Sequence, residues 1–237
     1  MSNKNVVLVL GTPTSGKTTS LMHMPDQERK VYFNTDLKEL TFPSKFKEVG
    51  VSNPLDILNY IHQVELEPSV DTAILDTISF LMSMYEQQIV NTSSNTQQAW
   101  GNYAKFYKDI IHAIKAGTKD YAIMAHTEDK LNEKEMVVET KACVKGSVGR
   151  LGIEADFSTI VAAKRVSLKQ LAGWENDLLN ITDEEKEDGF KYVFVTRVDK
   201  DTLGEKMRCP MRLFSRQEKY IDNNLSLVFN RLHEYYK

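Results

Sequence analysis

Cysteine is scarce in this chain of 237 residues, which carries Cys143 and Cys209 and no others. Two thiols so far apart make no disulfide framework and match no metal-ligand spacing, so a reducing, cytoplasmic setting is expected. Long apolar runs are missing as well. None approaches the roughly 18 residues that would span a bilayer, so no membrane association is expected. The first apolar stretch, Val6 to Leu10, follows Lys4 but has no small-residue cleavage site behind it. It runs straight into a glycine-containing loop and reads as a buried strand, not a signal peptide. Charge of one sign is not in excess either. Thirty Lys and Arg stand against 33 Asp and Glu, a net charge of -3. The whole-chain field therefore attracts no polyanion, and nucleic-acid binding would need a local patch. With 41% hydrophobic and 27% charged residues, the composition excludes disorder for the bulk of the chain.

Apolar runs of strand length alternate with segments of helical period, the pattern of an α/β sheet with covered faces. Val6 to Leu10, Val31 to Phe33, Thr72 to Leu75 and Tyr121 to Ala125 read as strands. Later strands are expected near Phe157 to Ala163 and Phe190 to Val198, separated by the acidic run Asp183 to Asp188. Asn53-Pro54 has the form of an N-cap with proline at the first helical position, ahead of Leu55, Leu58, Ile61 and Val64. Tyr103, Phe106, Tyr107, Ile110, Ile111 and Ile114 make one apolar helical face, which Gly117 can close. A last amphipathic helix begins near Asn224. Asn91 to Gln98 reads as an exposed loop, Glu135 to Thr140 as a hairpin, and Gly146, Gly149 and Gly152 as punctuation of a loop. No linker or repeat divides the chain. The expected organisation is one unit over 1–237, with a core of about 1–165 and a β-rich extension with the terminal helix over about 166–237.

The motif that carries chemistry is Gly11-Thr12-Pro13-Thr14-Ser15-Gly16-Lys17-Thr18, a complete G-x-x-x-x-G-K-[ST] followed by Thr19. A buried strand precedes it and a short helix is expected after it, the context a phosphate loop requires. The glycines let successive backbone N–H groups converge on one phosphate. Lys17 brings a positive charge to the β- and γ-phosphates, and the Thr18 hydroxyl is suited to magnesium. The expected ligands are therefore ATP and Mg2+; guanine-specific signatures such as N-K-x-D are missing.

Three further residues are expected at the carboxyl edge of the sheet, where open α/β sheets bind ligands. Asp76 ends the third strand and is assigned to support the metal; a helix N-cap is its alternative role, which Thr77 could fill instead. Asp36, just past the second strand, is the candidate to orient or deprotonate water, with Glu39 as second choice and a solvated loop acid as the plain reading. His126 ends the fourth strand and is placed to sense the γ-phosphate, or else is satisfied by local backbone groups.

Together these pieces resemble the RecA-like ATPases, and more closely the small phage-encoded RecA-like proteins of single-strand annealing recombination. The matching segments are GTPTSGKTT at 11–19, Asp36, AILDTISFL at 73–81, the helix start Trp100-Gly101-x-Tyr103, and AIMAHTE at 122–128. Gly149-Arg150-Leu151-Gly152 and TLGEKMRCPMRLF at 202–214 extend the likeness over most of the chain. The resemblance implies a mostly parallel central sheet flanked by helices, slow DNA-responsive ATP hydrolysis, and single-stranded DNA as partner. A homo-oligomer and a single-stranded-DNA-binding protein are further implied partners, with the cytoplasm of a bacterial host as location. RecA has glutamate where Asp36 stands and glutamine where His126 falls. Five residues precede Val6, too few for RecA's filament-building arm, so that filament is not implied, and a ring or another assembly stays open.

In RecA-like proteins two loops face DNA, here about 91–101 and 127–152. The second contains Lys130, Lys134, Lys141, Lys145 and Arg150 among several acids, and a mixed, solvated hairpin is its plain reading. Glycines beside Lys145 and Arg150 would let the backbone approach phosphates, and Trp100 could stack on a base. Tyr103 belongs by periodicity to the core face. From Gly189 to Lys219 eight Lys or Arg stand against four acids. Lys200, Lys206 or Arg208 is expected to reach a neighbouring subunit's ATP; a DNA path and a solvated face are the alternatives. Rival functions are a small-molecule or nucleoside kinase, a non-hydrolysing nucleotide-gated recombination mediator, and a hexameric helicase motor.

Overall fold

The computed structural model describes residues 2–133, 136–200 and 202–237. Strand β1 (Val6–Gly11) is buried along its whole length. Strand side chains alternate between faces, so Val6, Leu8 and Leu10 enter one core while Val7 and Val9 enter the other. The chain continues through β2 (Lys30–Asn34), β3 (Lys47–Gly50), α1 (Ile57–Leu66), β4 (Thr72–Asp76), α2 (Ile78–Tyr85) and α3 (Thr96–Ala116). Then come β5 (Asp120–Asn132), β6 (Val137–Ala142), α4 (Gly146–Leu151), β7 (Thr159–Ser167), α5 (Leu168–Leu171) and α6 (Asp183–Asp188). Strands β8 (Phe190–Val195) and β9 (Tyr220–Asp222) and helix α7 (Leu225–Tyr235) complete it.

Among the described residues the sheet runs β3-β2-β4-β5-β1-β7-β8-β9, with β6 paired to the outer half of β5. The pairs from β3 to β7 are parallel, and β8 and β9 add antiparallel strands to the same sheet. Helices α1, α2 and α3 cover one face; α7, with Leu21, Met24, Phe42 and Phe46, covers the other. The fold is thus an α/β arrangement, a mostly parallel central sheet flanked by helices. Parallel registry carries the strand ends to one edge: Gly11 lies opposite His126, and Asp76 opposite both Asn34 and Met124.

Several helix signals work as the sequence implies. Asn53 accepts from Leu55 N ahead of Pro54, Asn224 caps α7, and all six residues of the expected α3 face are buried, with Gly117 as its C-cap. Others differ. Helix α3 starts at Thr96, because the Asn95 side chain accepts from Gln98 N, so the exposed loop ends earlier than expected. The Gly146–Gly152 stretch is helical through Leu151: Gly149 N and Gly152 N donate to Lys145 O and Val148 O. The phosphate loop is followed by one 3-10 turn, Thr18–Leu21, where a short helix is expected. Pro25 disfavours helical backbone at Met24 and limits any extension. The acidic run forms α6, closed by a Thr182–Glu185 capping box. The short strands β3 and β9 had no sequence signal of their own. The hairpin exists as β5–β6, although Lys134 and Glu135, expected within it, lie outside the described residues.

Two glycines inside helices should respond to alanine with opposite sign. At Gly101 an added Cβ meets nothing within 4 Å, so Gly101→Ala is expected to stabilise by about 0.5–1 kcal/mol. At Gly149 the same carbon would lie 1.7 Å from the Val144 carbonyl oxygen, so Gly149→Ala should destabilise by about 1–3 kcal/mol. Urea unfolding of the two variants measures both signs.

Candidate nucleotide site

The loop leaving β1 is wound tightly, with positive φ at Thr14 (63°) and Gly16 (93°) and a turn closed by Ser15 N donating to Thr12 O. Lys17 is folded back into it. Its Nζ donates to Gly11 O at 2.8 Å and to Thr12 O at 2.9 Å, and lies 3.3 Å from His126 Nδ1. The side chain is 5% exposed. Burial pulls its pKa down to about 8, against the opposing pull of the Asp76 carboxylate.

The end of β4 presents Asp76 to the same edge. Its Oδ2 accepts from Thr18 Oγ1 at 2.6 Å and from Tyr32 OH at 3.0 Å. Burial pushes the Asp76 pKa up, and these two donors pull it back. The alternative cap role goes to Thr77, whose side chain accepts from Phe80 N at the start of α2. The Thr18 hydroxyl hydrogen is committed to Asp76, which leaves its oxygen lone pairs for a cation. That donor set fits Mg2+, which takes few protein ligands and completes its shell with phosphates and waters. Among the described residues no cluster of three or more acidic, histidine or cysteine side chains could hold a metal unaided.

His126 is tied into its surroundings by its backbone. Its N–H donates to Ser79 Oγ at 3.0 Å and its carbonyl accepts from Cys143 N at 2.7 Å. The ring meets Phe80 edge-on, with centroids 5.1 Å apart. Burial, reinforced by the Lys17 charge, lowers its pKa to about 4, so the ring is neutral and can accept from Lys17. Asp36 sits where β2 ends, close enough for its charge to act on Asp76, Tyr32 and His126. Its carboxylate accepts from Lys38 N at 3.2 Å and faces Lys38 Nζ at 3.4 Å. Glu39 is exposed.

Two residues of the site escaped sequence reasoning. Tyr32 sits inside β2, where it reads as one more core aromatic; its partner oxygen lies 44 residues away. Thr35 links the ends of β2 and β4, donating from N to Asp76 O and accepting from Thr77 N at 2.8 Å. The signal was the polar triplet Asn34-Thr35-Asp36 closing an apolar strand.

A cavity of about 630 Å³ borders the outer side of the loop at Thr12–Ser15, with Lys164, Lys200 and Lys206 in its opposite wall. Lys200 and Lys206, expected to reach a neighbour's nucleotide, therefore lie beside the phosphate loop of their own chain. Arg208 is occupied: its Nη2 donates to Glu154 O and Phe157 O, both at 2.7 Å, and its backbone bridges to Ile160. The expected DNA contacts lie elsewhere, past His126. Trp100 is half-buried against Tyr103 and beside Gly146, while Tyr103 is fully buried. Lys145 pairs with Glu86 at 2.9 Å, Lys130 with Glu128 and Lys141 with Glu139. Arg150 is exposed on α4, and among the described residues no carboxylate pairs with it.

A family described as an AAA domain matches residues 3–142, more than half of the chain, from the strand ahead of the phosphate loop to the end of the hairpin. The chain belongs to this AAA-domain family. A KaiC-like protein of known structure from the hyperthermophilic archaeon Pyrococcus horikoshii is similar at 14% identity and a TM-score of 0.45, covering 85% of this chain and 82% of the other. No curated protein matches the chain. Among the described residues no helix is long and apolar enough to cross a membrane. Membership in this family and the phosphate loop together imply nucleotide binding, with magnesium as the usual companion.

The buried ammonium gives this AAA domain a pH signature. The nucleotide-free protein loses the Lys17 proton around pH 8, and an anionic ligand binds the charged form. Calorimetric affinity for Mg-ATP should be flat from pH 6 to 7.5, with no step near the ordinary histidine range. It should then fall on the order of tenfold between pH 8 and 9.5, with proton uptake on binding. Tyr32→Phe keeps the ring and removes one donor to Asp76. It should raise the Mg2+ concentration needed for nucleotide binding about tenfold while the apo protein loses only about 1 kcal/mol of stability, checked by Mn2+ titration and thermal unfolding.

Proposed function

We propose that this AAA domain binds Mg-ATP at the carboxyl edge of its sheet, hydrolyses it slowly, and uses occupancy of the site to control contact with single-stranded DNA, in recombination or annealing of the phage type. The observation that carries this reading is the 3.3 Å approach of Lys17 Nζ to His126 Nδ1.

Lys17 has three donor hydrogens, and its nearby acceptors are two carbonyls and a neutral ring. Phosphate oxygens are charged acceptors and make stronger hydrogen bonds, so Lys17 turns toward them when the triphosphate binds. His126 then loses its partner and can meet the γ-phosphate instead. The residue is continuous with β5, whose outer half forms the hairpin, and its carbonyl holds Cys143, two residues before Lys145. A change at the γ-phosphate is thereby felt in the 127–152 segment.

When bound, magnesium would supply positive charge to offset the negative charge that develops during transfer. Thr18 would hold it, backed by Asp76, which Tyr32 keeps oriented. Asp36 would orient the attacking water and accept its proton once its carboxylate turns from Lys38. Lys17 stabilises the charge that accumulates on the transferred group, and Lys200 and Lys206 can add to the field from across the cavity.

The test is a titration of a single-stranded oligonucleotide at fixed salt, with and without Mg-ATP, beside Lys17→Ala and Asp36→Asn. Mg-ATP should tighten DNA binding about tenfold in the wild type and leave Lys17→Ala unchanged, a coupling of about 1.4 kcal/mol. Asp36→Asn should keep nucleotide binding and lose about 100-fold in turnover. Because Lys130, Lys141 and Lys145 are paired with acids, few phosphates are neutralised. The slope of log affinity against log salt should then be shallow, about -1 to -2. Absence of DNA binding under every condition would remove the recombination reading and leave the ATPase.

A further inference from the structure

The C-terminal part of the chain reaches back to the phosphate loop. Asn223, between β9 and α7, donates from Nδ2 to Gly16 O at 2.7 Å, across 207 residues of sequence. The same carbonyl accepts from Ser20 N at 3.0 Å. Both lone pairs of the Gly16 oxygen are thus engaged, one by the first turn after the loop and one from the far end of the chain. Space at Gly16 is closed by the same neighbours: a Cβ there would lie 2.8 Å from Asn223 Nδ2 and 2.9 Å from Tyr192 Cδ1 on β8.

The consequence is stereochemical. In a trans peptide the C=O and N–H point in opposite directions. Pinning the Gly16 carbonyl toward Asn223 aims the Lys17 amide away from the C-terminal segment and fixes the peptide plane that leads into Lys17 and Thr18. Asn223 is itself on a firm support. Asp222, its neighbour, pairs with Lys191 at 3.1 Å and accepts from Asn180 N at 3.0 Å. Among the described residues Asn223 Oδ1 is buried without a partner, and the donation to Gly16 is the hydrogen bond this side chain makes there. The matched AAA segment covers residues 3–142, so Gly16 lies within it and Asn223 outside it.

We propose that Asn223 is a positioning residue for the nucleotide site, holding the Gly16–Lys17 peptide in the orientation that phosphate oxygens meet. This rests on the reading of residues 11–18 as a nucleotide cradle.

Asn223→Asp keeps the shape, removes the donor and sets a carboxylate against the Gly16 carbonyl. Asn223→Ala removes the contact, and Asn224→Ala is the control, since it deletes the α7 cap while sparing Gly16. Both Asn223 variants should bind Mg-ATP about tenfold more weakly, about 1.4 kcal/mol. KM for ATP should rise while kcat stays within about twofold of wild type, as expected when ground state and transition state lose the same contact. Asn224→Ala should lower Tm and leave affinity unchanged. Wild-type affinity in Asn223→Asp, beside lost binding in Lys17→Ala, overturns the inference and leaves the cradle standing; no binding by the wild-type chain overturns both. Should the variants fail to fold, amide hydrogen exchange on the wild type decides. Mg-ATP should slow exchange over 220–226 as well as in the loop, and protection confined to the loop overturns the inference.

Discussion

Lys17 is a cation in a place where cations are costly, since a buried ammonium is tolerated only when its hydrogens have acceptors. The fold supplies them from the end of one strand and from its neighbour: Gly11 O and Thr12 O leave β1, and His126 stands opposite Gly11 on β5. The loop turns Gly11 O and Thr12 O toward that charge, and the histidine, kept neutral chiefly by burial, can accept from it. A phosphate group would satisfy it better than two carbonyls and an imidazole do, so the site favours an anion.

The acidic side of the site is organised by donors, not by other charges. Asp76 is deeply buried, and Thr18 and Tyr32 both donate to one of its oxygens. This keeps the carboxylate oriented in a pocket whose burial favours the protonated form. Asp36 is half-exposed and tied to Lys38. Two carboxylates at one sheet edge therefore have different environments.

Electrostatics beyond His126 are more balanced than the lysine count suggests, because the hairpin and its approach pair three of their lysines with nearby acids. Among the described residues of this segment, Arg150 is exposed and pairs with no carboxylate. The C-terminal strands do more than lengthen the sheet, because they carry Tyr192 and Asn223 to the back of the phosphate loop.

The phosphate loop, the strands that lead into it, Asp76 with Thr77 behind it, and the apolar face of α3 were all legible as sequence, because each depends on local spacing: a motif, a period or a cap. Tyr32 and Asn223 were not legible. One looks like any core aromatic and the other like any helix-leading asparagine, and each acquires its role from a partner distant in the chain. Helix α4 was hidden by its glycines, one of which is required by the nearby Val144 carbonyl. Lys200, Lys206 and Arg208 had the charge for a phosphate contact, but the fold sent two to the loop's cavity and tied the third to carbonyls. The chain's local chemistry thus determined that the phosphate-loop motif follows a buried strand, whereas side chains brought together across the sheet decided what holds it, because hydrogen bonds between distant segments exist only once the strands are in register.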